Sequence, residues 1–365
     1  MPAAPVVIVG GGTSGAIVAR TVADATDLPV VVIEPGGITD DDNPRFLDGL
    51  TDGTLWRGEQ MPQARAVGGG SAVNGMILSG DPPRWLSGLT RRARADEAGA
   101  VGLALLEAGG RLPWMWWNNG RWNPGRAMLH LQEEGRIRIL PDTVTSLRVE
   151  GESVSAVITA GGVVECSHVV MCAGAILTPR ILRASGITGD VGEGLQNHPT
   201  VTFTVRRPGP AMGFFDACTV LDISRAGAVG LMIAYERETA APQAPGSVGV
   251  SLMNPQSRGM AGETADFALL TDPVDRARMS LVVDEARKVL ARAGLGVLAE
   301  SGVHPVSHAT SSCRHVVGPE GDLRGFRNVT LADASVLPGV PAETPAASVT
   351  IESLRISRAL GRRLS

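Results

Sequence analysis

Long apolar runs are missing from this chain. None approaches the roughly 20 consecutive residues a membrane helix needs, and no basic segment followed by a hydrophobic one opens the sequence. Neither a membrane span nor a secretory leader is expected, and the expected location is the cytoplasm. Charge of one sign is equally scarce. The 33 Lys and Arg against 37 Asp and Glu leave a net charge of −4, which gives no footprint for a nucleic-acid partner. Cysteine is sparse too: Cys166, Cys172, Cys218 and Cys313 are scattered without metal-ligand spacing, so they read as reduced, mostly buried thiols rather than a zinc site. Asp40 to Asp42 is a run of three acids of the kind that faces water, and no metal site is assigned. Aromatics make up only 4% of the chain, yet Trp114-Met115-Trp116-Trp117 concentrates three of them. What remains is a globular chain of enzyme size, long enough to bury a large core in two or three lobes.

The most informative stretch runs from Val6 to Arg20. The apolar run Val6 to Val9 enters a Gly-x-Gly-x-x-Gly turn (Gly10, Gly12, Gly15), an Ala-rich segment leaves it, and a second apolar run, Val30 to Ile33, ends in Glu34. This spacing predicts a strand, a phosphate-binding turn, a helix and a parallel strand. Gly10 permits the tight turn, Gly12 lets a pyrophosphate approach the backbone, and Gly15 lets helix and strand pack closely. Amides of the first helical turn, which holds Thr13 and Ser14, face the anion. Glu34 is expected to accept the ribose hydroxyls. The stretch therefore predicts a dinucleotide site.

Pro35 to Gln60 reads as an irregular loop. Beyond it come Arg65, three glycines (Gly68 to Gly70), Ser71 and Asn74-Gly75-Met76, with Trp85 shortly after. Here the chain resembles the glucose-methanol-choline (GMC) flavin oxidoreductase family, whose first signature has this order. Further blocks follow the same pattern. A strand at His168 to Met171 runs into Ala173-Gly174-Ala175, with Thr178-Pro179 expected to start a helix and Gly186 to stop it. Gly192 to Pro199 resembles Gly-x-Asn-Leu-x-Asp-His-Pro, with Gly194 standing for Asn and Asn197 for Asp; Asn254 to Gly259 matches another landmark. The resemblance implies an α/β fold: a Rossmann-like FAD-binding domain over 1–199 with an inserted antiparallel sheet segment at about 137–166; a second α+β domain built on an antiparallel sheet over 200–298, binding a small-molecule substrate; and a return to the FAD-binding domain over 299–365. It also implies that Arg65, Gly69, Gly70, Ser71, Asn74, Gly75 and Met76 lie along the FAD, that Val144 holds the adenine edge, and that Ala173, Gly174, Asp333, Ala334, Ala346 and Ala347 complete the cofactor contacts.

The least regular part is Ser87 to Asn119. Its Ala and Leu content predicts helices near Leu89 to Ala98 and Val101 to Ala108. The tryptophan cluster either lines a substrate cleft or anchors the packing of one lobe. The chain is short here for the family, so its site is expected to be open, or covered by a partner chain.

Ser307 to His315 aligns with the family's His-Pro-x-Gly-Thr-Cys-Arg-Met, which makes His308 the expected acid-base residue beside the flavin; His304 and His315 fall off that register. Near the carboxy terminus the pattern breaks. Where the family places a second His or Asn, this chain has Ala346, which can neither hold a proton nor hydrogen-bond an alkoxide. Three readings follow. Thr344, Ser348 or a water supplies the missing contact in an ordinary alcohol-oxidising flavoenzyme of biosynthesis; the flavin and His308 serve a different reaction, such as lyase chemistry or dehydrogenation of a more acidic substrate; or the flavin is structural in a non-redox cyclase or binding subunit. Asn74, where a linking His would be sought, argues against covalent flavin. The electron acceptor is not specified.

Overall fold

Val6–Val9 is apolar at every position because it lies at the centre of a parallel sheet, covered on both faces. In the computed structural model, which describes residues 3–39, 55–56, 61–118, 120, 122–209, 220–235 and 244–365, that sheet has the strand order Val329–Leu331, His168–Met171, Val6–Val9, Val30–Ile33, Arg138–Leu140, all parallel. Asp40 to Asp42 and Cys218 lie outside the described residues. Helices Thr13–Ala25 and Ala346–Leu364 pack side by side on the sheet. A Cβ on Gly361 would come within 2.8 Å of the Ala25 side chain, and the Thr26 hydroxyl donates to the Leu364 carbonyl at 3.1 Å. Their carboxy-terminal ends are thus level and the two helices run parallel. Both amino termini therefore open at the same edge of the sheet.

Three expectations change at this level. Arg138–Leu140, placed by sequence at the head of the antiparallel insert, pairs in parallel with Val30–Ile33, so the insert is the three-stranded sheet Val144–Glu150, Ser153–Thr159 and Gly162–Glu165. Residues 89–98 form no α-helix: Thr90–Arg92 is a strand against Trp114–Trp116, and only a short 3-10 turn follows at Ala95–Glu97. Alanine and leucine content favoured a helix, but tertiary pairing with the aromatic strand overrides that weak preference. Pro179 sits inside the helix Gly174–Ala184 rather than at its start. Its missing N–H leaves the Ala175 carbonyl without a helical donor, and the buried Ser312 hydroxyl takes that role at 2.6 Å.

The second sheet is antiparallel, in the order Val220–Asp222, Gly230–Tyr235, Gly246–Leu252, Thr200–Val205, Val297–Glu300. One face packs on the helix Pro273–Arg292, capped by the Asp272 carboxylate, through Phe203, Met232, Val248 and Val282. Val101 and Leu105, from Ala100–Glu107, join the same core, and the last strand extends to Glu300. The boundary expected at 298 therefore falls within a strand. The other face places Leu231 and Ile233 against Ile77, so the sheet covers the segment that follows Asn74 to Met76.

Candidate active site

The two glycine turns pack backbone against backbone. Gly10 adopts φ +98°, and a Cβ there would lie 2.6 Å from the Cys172 carbonyl oxygen. A Cβ on Gly15 would collide with the Gly10 carbonyl. The Gly68 amide donates to the Gly11 carbonyl at 2.8 Å, and a Cβ on Gly69 would meet the Gly12 Cα at 2.7 Å. The Thr13 and Ser71 hydroxyls both donate to the Gly68 carbonyl, at 3.3 and 2.6 Å. Gly70 and Gly174 have open space where a side chain would be, and a Cβ on Gly12 would meet only the Gly69 Cα, at 3.7 Å. The turns thus leave a bare backbone cradle.

Electrostatics suit an anion in that cradle. The helices starting at Thr13 and Ala346 have no side-chain cap and no acid in the first turn, so their amides and positive dipole ends remain available. From the level carboxy-terminal ends, the longer helix begins about 5 Å further out, at 1.5 Å per residue. Two electropositive points along one edge fit an elongated, multiply anionic ligand. Buried Glu34 accepts from the Gly11 and Gly36 amides, each at 2.8 Å. Each oxygen keeps a further lone pair for a hydroxyl. Burial raises its pKa, against the two amides and the Arg65 charge. Arg65 itself is exposed. Asp333 works through structure: its carboxylate accepts from the Gly174 amide, the Thr178 hydroxyl and the Ser335 amide at 2.8, 2.6 and 2.8 Å, tying the last parallel strand to the second signature. Ala173 and Ala334 border that tie, and half-buried Val144 opens the antiparallel insert opposite Thr159.

Asn74 to Met76 are held in an unusual shape. Met76 is fully buried at φ 60°, and the Asn74 side-chain oxygen accepts its amide at 3.0 Å. A bulky residue in the left-handed region stores strain of order 1–3 kcal/mol, which the surroundings must offset. They include Ala347 and the aromatic strand, in one cluster with Met115 and Trp116, against which Ala346, Trp117 and Trp122 pack. Of the two readings of the tryptophans, packing prevails for buried Met115 and Trp116; Trp114 and Trp117 are covered by the Arg92 and Arg91 guanidiniums at 4.6 and 4.0 Å.

The two hydroxyls proposed to replace the missing second His or Asn are committed elsewhere. Thr344 donates to the Ile77 carbonyl at 2.9 Å and accepts the Ser79 amide at 3.1 Å, while its own amide donates to the Ser79 hydroxyl at 2.8 Å. Ser348 donates to Glu343 at 3.0 Å.

His308 is half-buried, and its Nδ1 lies 2.9 Å from Nδ1 of the fully buried His198, the rings meeting edge to face. Burial, with His198 beside it, pushes His308 down to about 3; burial pushes His198 down to about 4. Both rings are neutral near pH 7. Asn197, next to His198, clamps Val306 by donating to its carbonyl at 2.6 Å and accepting its amide at 3.1 Å, which fixes the loop carrying His308. Ser311 stands where the family motif has Gly and adopts φ 76°, the backbone conformation that glycine favours. His304 is occupied by Thr202, and exposed His315 accepts from Arg314. His198 and Asn197 sit within the signature Gly192 to Pro199, whose order carries no sign that His198 meets His308 or that Asn197 meets Val306.

A model of the family described as GMC oxidoreductase matches residues 141–200. With the parallel sheet, the antiparallel insert and the roofing sheet, this bears out the resemblance read from the signatures: the architecture is a GMC oxidoreductase fold. No curated protein sequence matches. Among solved structures, the fold is similar to that of pyridoxine 4-oxidase from Mesorbium loti (20% identity, TM-score 0.82, 99% of each chain). It is similar also to an FAD-dependent oxidoreductase from Chaetomium thermophilum (15%, 0.77, 99% of each) and to formate oxidase from Aspergillus oryzae RIB40 (16%, 0.78, 100% of each).

Proposed function

We propose that this chain is an FAD-dependent oxidoreductase that removes a hydride and a proton from the CH–OH group of a bulky or apolar small molecule, with His308 as the acid-base residue. One observation carries the reading: His308 has one ring nitrogen 2.9 Å from His198 and, among the described residues, no hydrogen bond to the other, while burial with His198 beside it pushes its pKa down to about 3 and keeps the ring neutral. Bound FAD supplies the hydride acceptor. The chain's own residues do the rest. Gly10 and Gly69, whose own amides donate to Ile33 and Ala66, shape the turns; the backbone amides of Gly12, Gly15, Gly70 and Ser71 hold the pyrophosphate, Thr13 and Ser14 lie in the helical turn facing it, and Glu34 takes the ribose. Asn74 to Met76 and the amides of Ala346 and Ala347 border the ring system. As the carbon loses its hydride, the free nitrogen of His308 takes the hydroxyl proton.

The half-buried Trp122, which packs against the same cluster as Ala346, offers apolar surface there, which supports the substrate class. Pyridoxine and formate, named with the similar structures, differ so much in size that the fold alone does not choose between substrates. A second reading is supported by Ala346 together with the engaged hydroxyls of Thr344 and Ser348: a flavin-binding enzyme of non-oxidative chemistry, a lyase or cyclase. The test is His308→Ala in the FAD-loaded protein. Anaerobic flavin reduction by a reacting alcohol should slow by about 10²–10⁴-fold with FAD content unchanged. Undiminished reduction would remove His308 from the role.

A further inference from the structure

We propose that His198 is a positioning residue that locks His308 in the tautomer carrying hydrogen on Nδ1, so that Nε2 is the atom that receives the substrate proton. This rests on the reading of His308 as the acid-base residue. Hydrogen-bond supply sets both tautomers. His198 Nε2 lies 2.9 Å from the Pro341 carbonyl oxygen, which can only accept, so Nε2 of His198 carries the hydrogen. His198 is fully buried and neutral, so its Nδ1 is bare and accepts. Its neighbour at 2.9 Å, His308 Nδ1, must then donate. A neutral His308 has no second hydrogen, which leaves Nε2 with its lone pair exposed to substrate.

The direction of the chain is set at Pro341 and passed through two rings. In catalytic triads a carboxylate does this orienting; here a neutral imidazole does, and among the described residues no carboxylate hydrogen-bonds either ring. The proton balance closes. The alcohol gives its hydride to flavin and its O–H proton to His308 Nε2, and the imidazolium so formed keeps its Nδ1–H on the His198 lone pair. Asn197, one residue away, holds the backbone of the same loop, so one dipeptide fixes both the place and the tautomer of His308.

The test reads tautomers directly. FAD-loaded protein labelled with ¹⁵N-histidine is studied by long-range ¹H–¹⁵N correlation near pH 7, with His308→Ala assigning the signal. Wild type should show His308 protonated on Nδ1. His198→Leu removes the acceptor and should shift His308 toward the Nε2-protonated form, with kcat down about 10-fold or more and KM for substrate little changed. His198→Asn restores an acceptor oxygen near the Nδ1 position and should recover the Nδ1–H signature and most of kcat. An Nε2-protonated His308 in the wild type, or an unchanged tautomer in His198→Leu, overturns the proposal. The wild-type spectrum decides even if the leucine variant does not fold. Failure of the acid-base reading would look different: the expected tautomer together with a His308→Ala protein that still reduces flavin.

Discussion

Acidifying the protein from pH 7 to pH 5 should remove about 2 kcal/mol of stability through His168 alone. His168 is 7% exposed in the parallel sheet, with Nε2 2.9 Å from the Thr330 hydroxyl. Burial pushes its pKa down to about 4, aided by the Arg363 charge and opposed by Asp322. Because the folded value lies below the unfolded value of about 6.5, the unfolded chain binds the extra proton first. This contribution is full above about pH 6.5 and is lost as the pH falls toward 4. At pH 5, RT ln[(1+10^1.5)/(1+10^−1)] is about 2 kcal/mol. His198, also lowered to about 4, adds a similar loss. Glu34 acts in the opposite sense: its raised pKa favours the folded state as the pH falls. The lowered carboxylates of Asp24 and Glu97 lose their contributions only below the ordinary carboxylate range, outside this window. The assay is urea unfolding at saturating FAD for wild type and His168→Asn at both pH values. The difference between the two proteins cancels FAD and Glu34 effects. It should shift by about 2 kcal/mol in favour of the variant at pH 5; a pH-independent difference would refute the assignment of a buried, neutral His168.

Three further outcomes are expected. Gly15→Ala drives a methyl into the Gly10 carbonyl, so the protein should purify without a flavin absorbance band even when FAD is added; normal FAD content would show that the turn can rearrange. Thr344→Val keeps shape but strands the Ser79 amide and loses the bond to Ile77, costing about 1–3 kcal/mol in urea unfolding; a change below about 0.5 kcal/mol would contradict the clamp. Ala346→His puts a donor where the developing alkoxide lacks one, and anaerobic flavin reduction by simple alcohols should rise by about 10-fold or more. No gain in a variant that still binds FAD would favour lyase or cyclase chemistry.

The parts legible in the sequence are those where local backbone demands name the residue. Gly10, Gly15 and Gly69 are needed because nothing larger fits, and Gly186 closes its helix in the left-handed region at φ 80°. The unread parts depend on contacts distant in sequence. Thr90 to Arg92 become a strand only because Trp114–Trp116 lies beside them, and Pro179 is tolerated in a helix only because Ser312 serves Ala175. The pairing of His198 with His308 joins residues 110 apart, and a motif quoted for its order carries no hint of it. The engagement of Thr344 is likewise a contact across 267 positions, which removed a hydroxyl that spacing alone had made available.

The most direct test of the account is the absorbance of the purified, FAD-supplemented protein under anaerobic conditions with a panel of bulky alcohols. Binding along the glycine turns and hydride removal with His308 as base predict a bound yellow flavin that bleaches with at least one alcohol in the panel. A bound flavin that stays oxidised with every member would contradict the oxidative reading in favour of lyase or cyclase chemistry, and a protein that retains no FAD would contradict the account at its root.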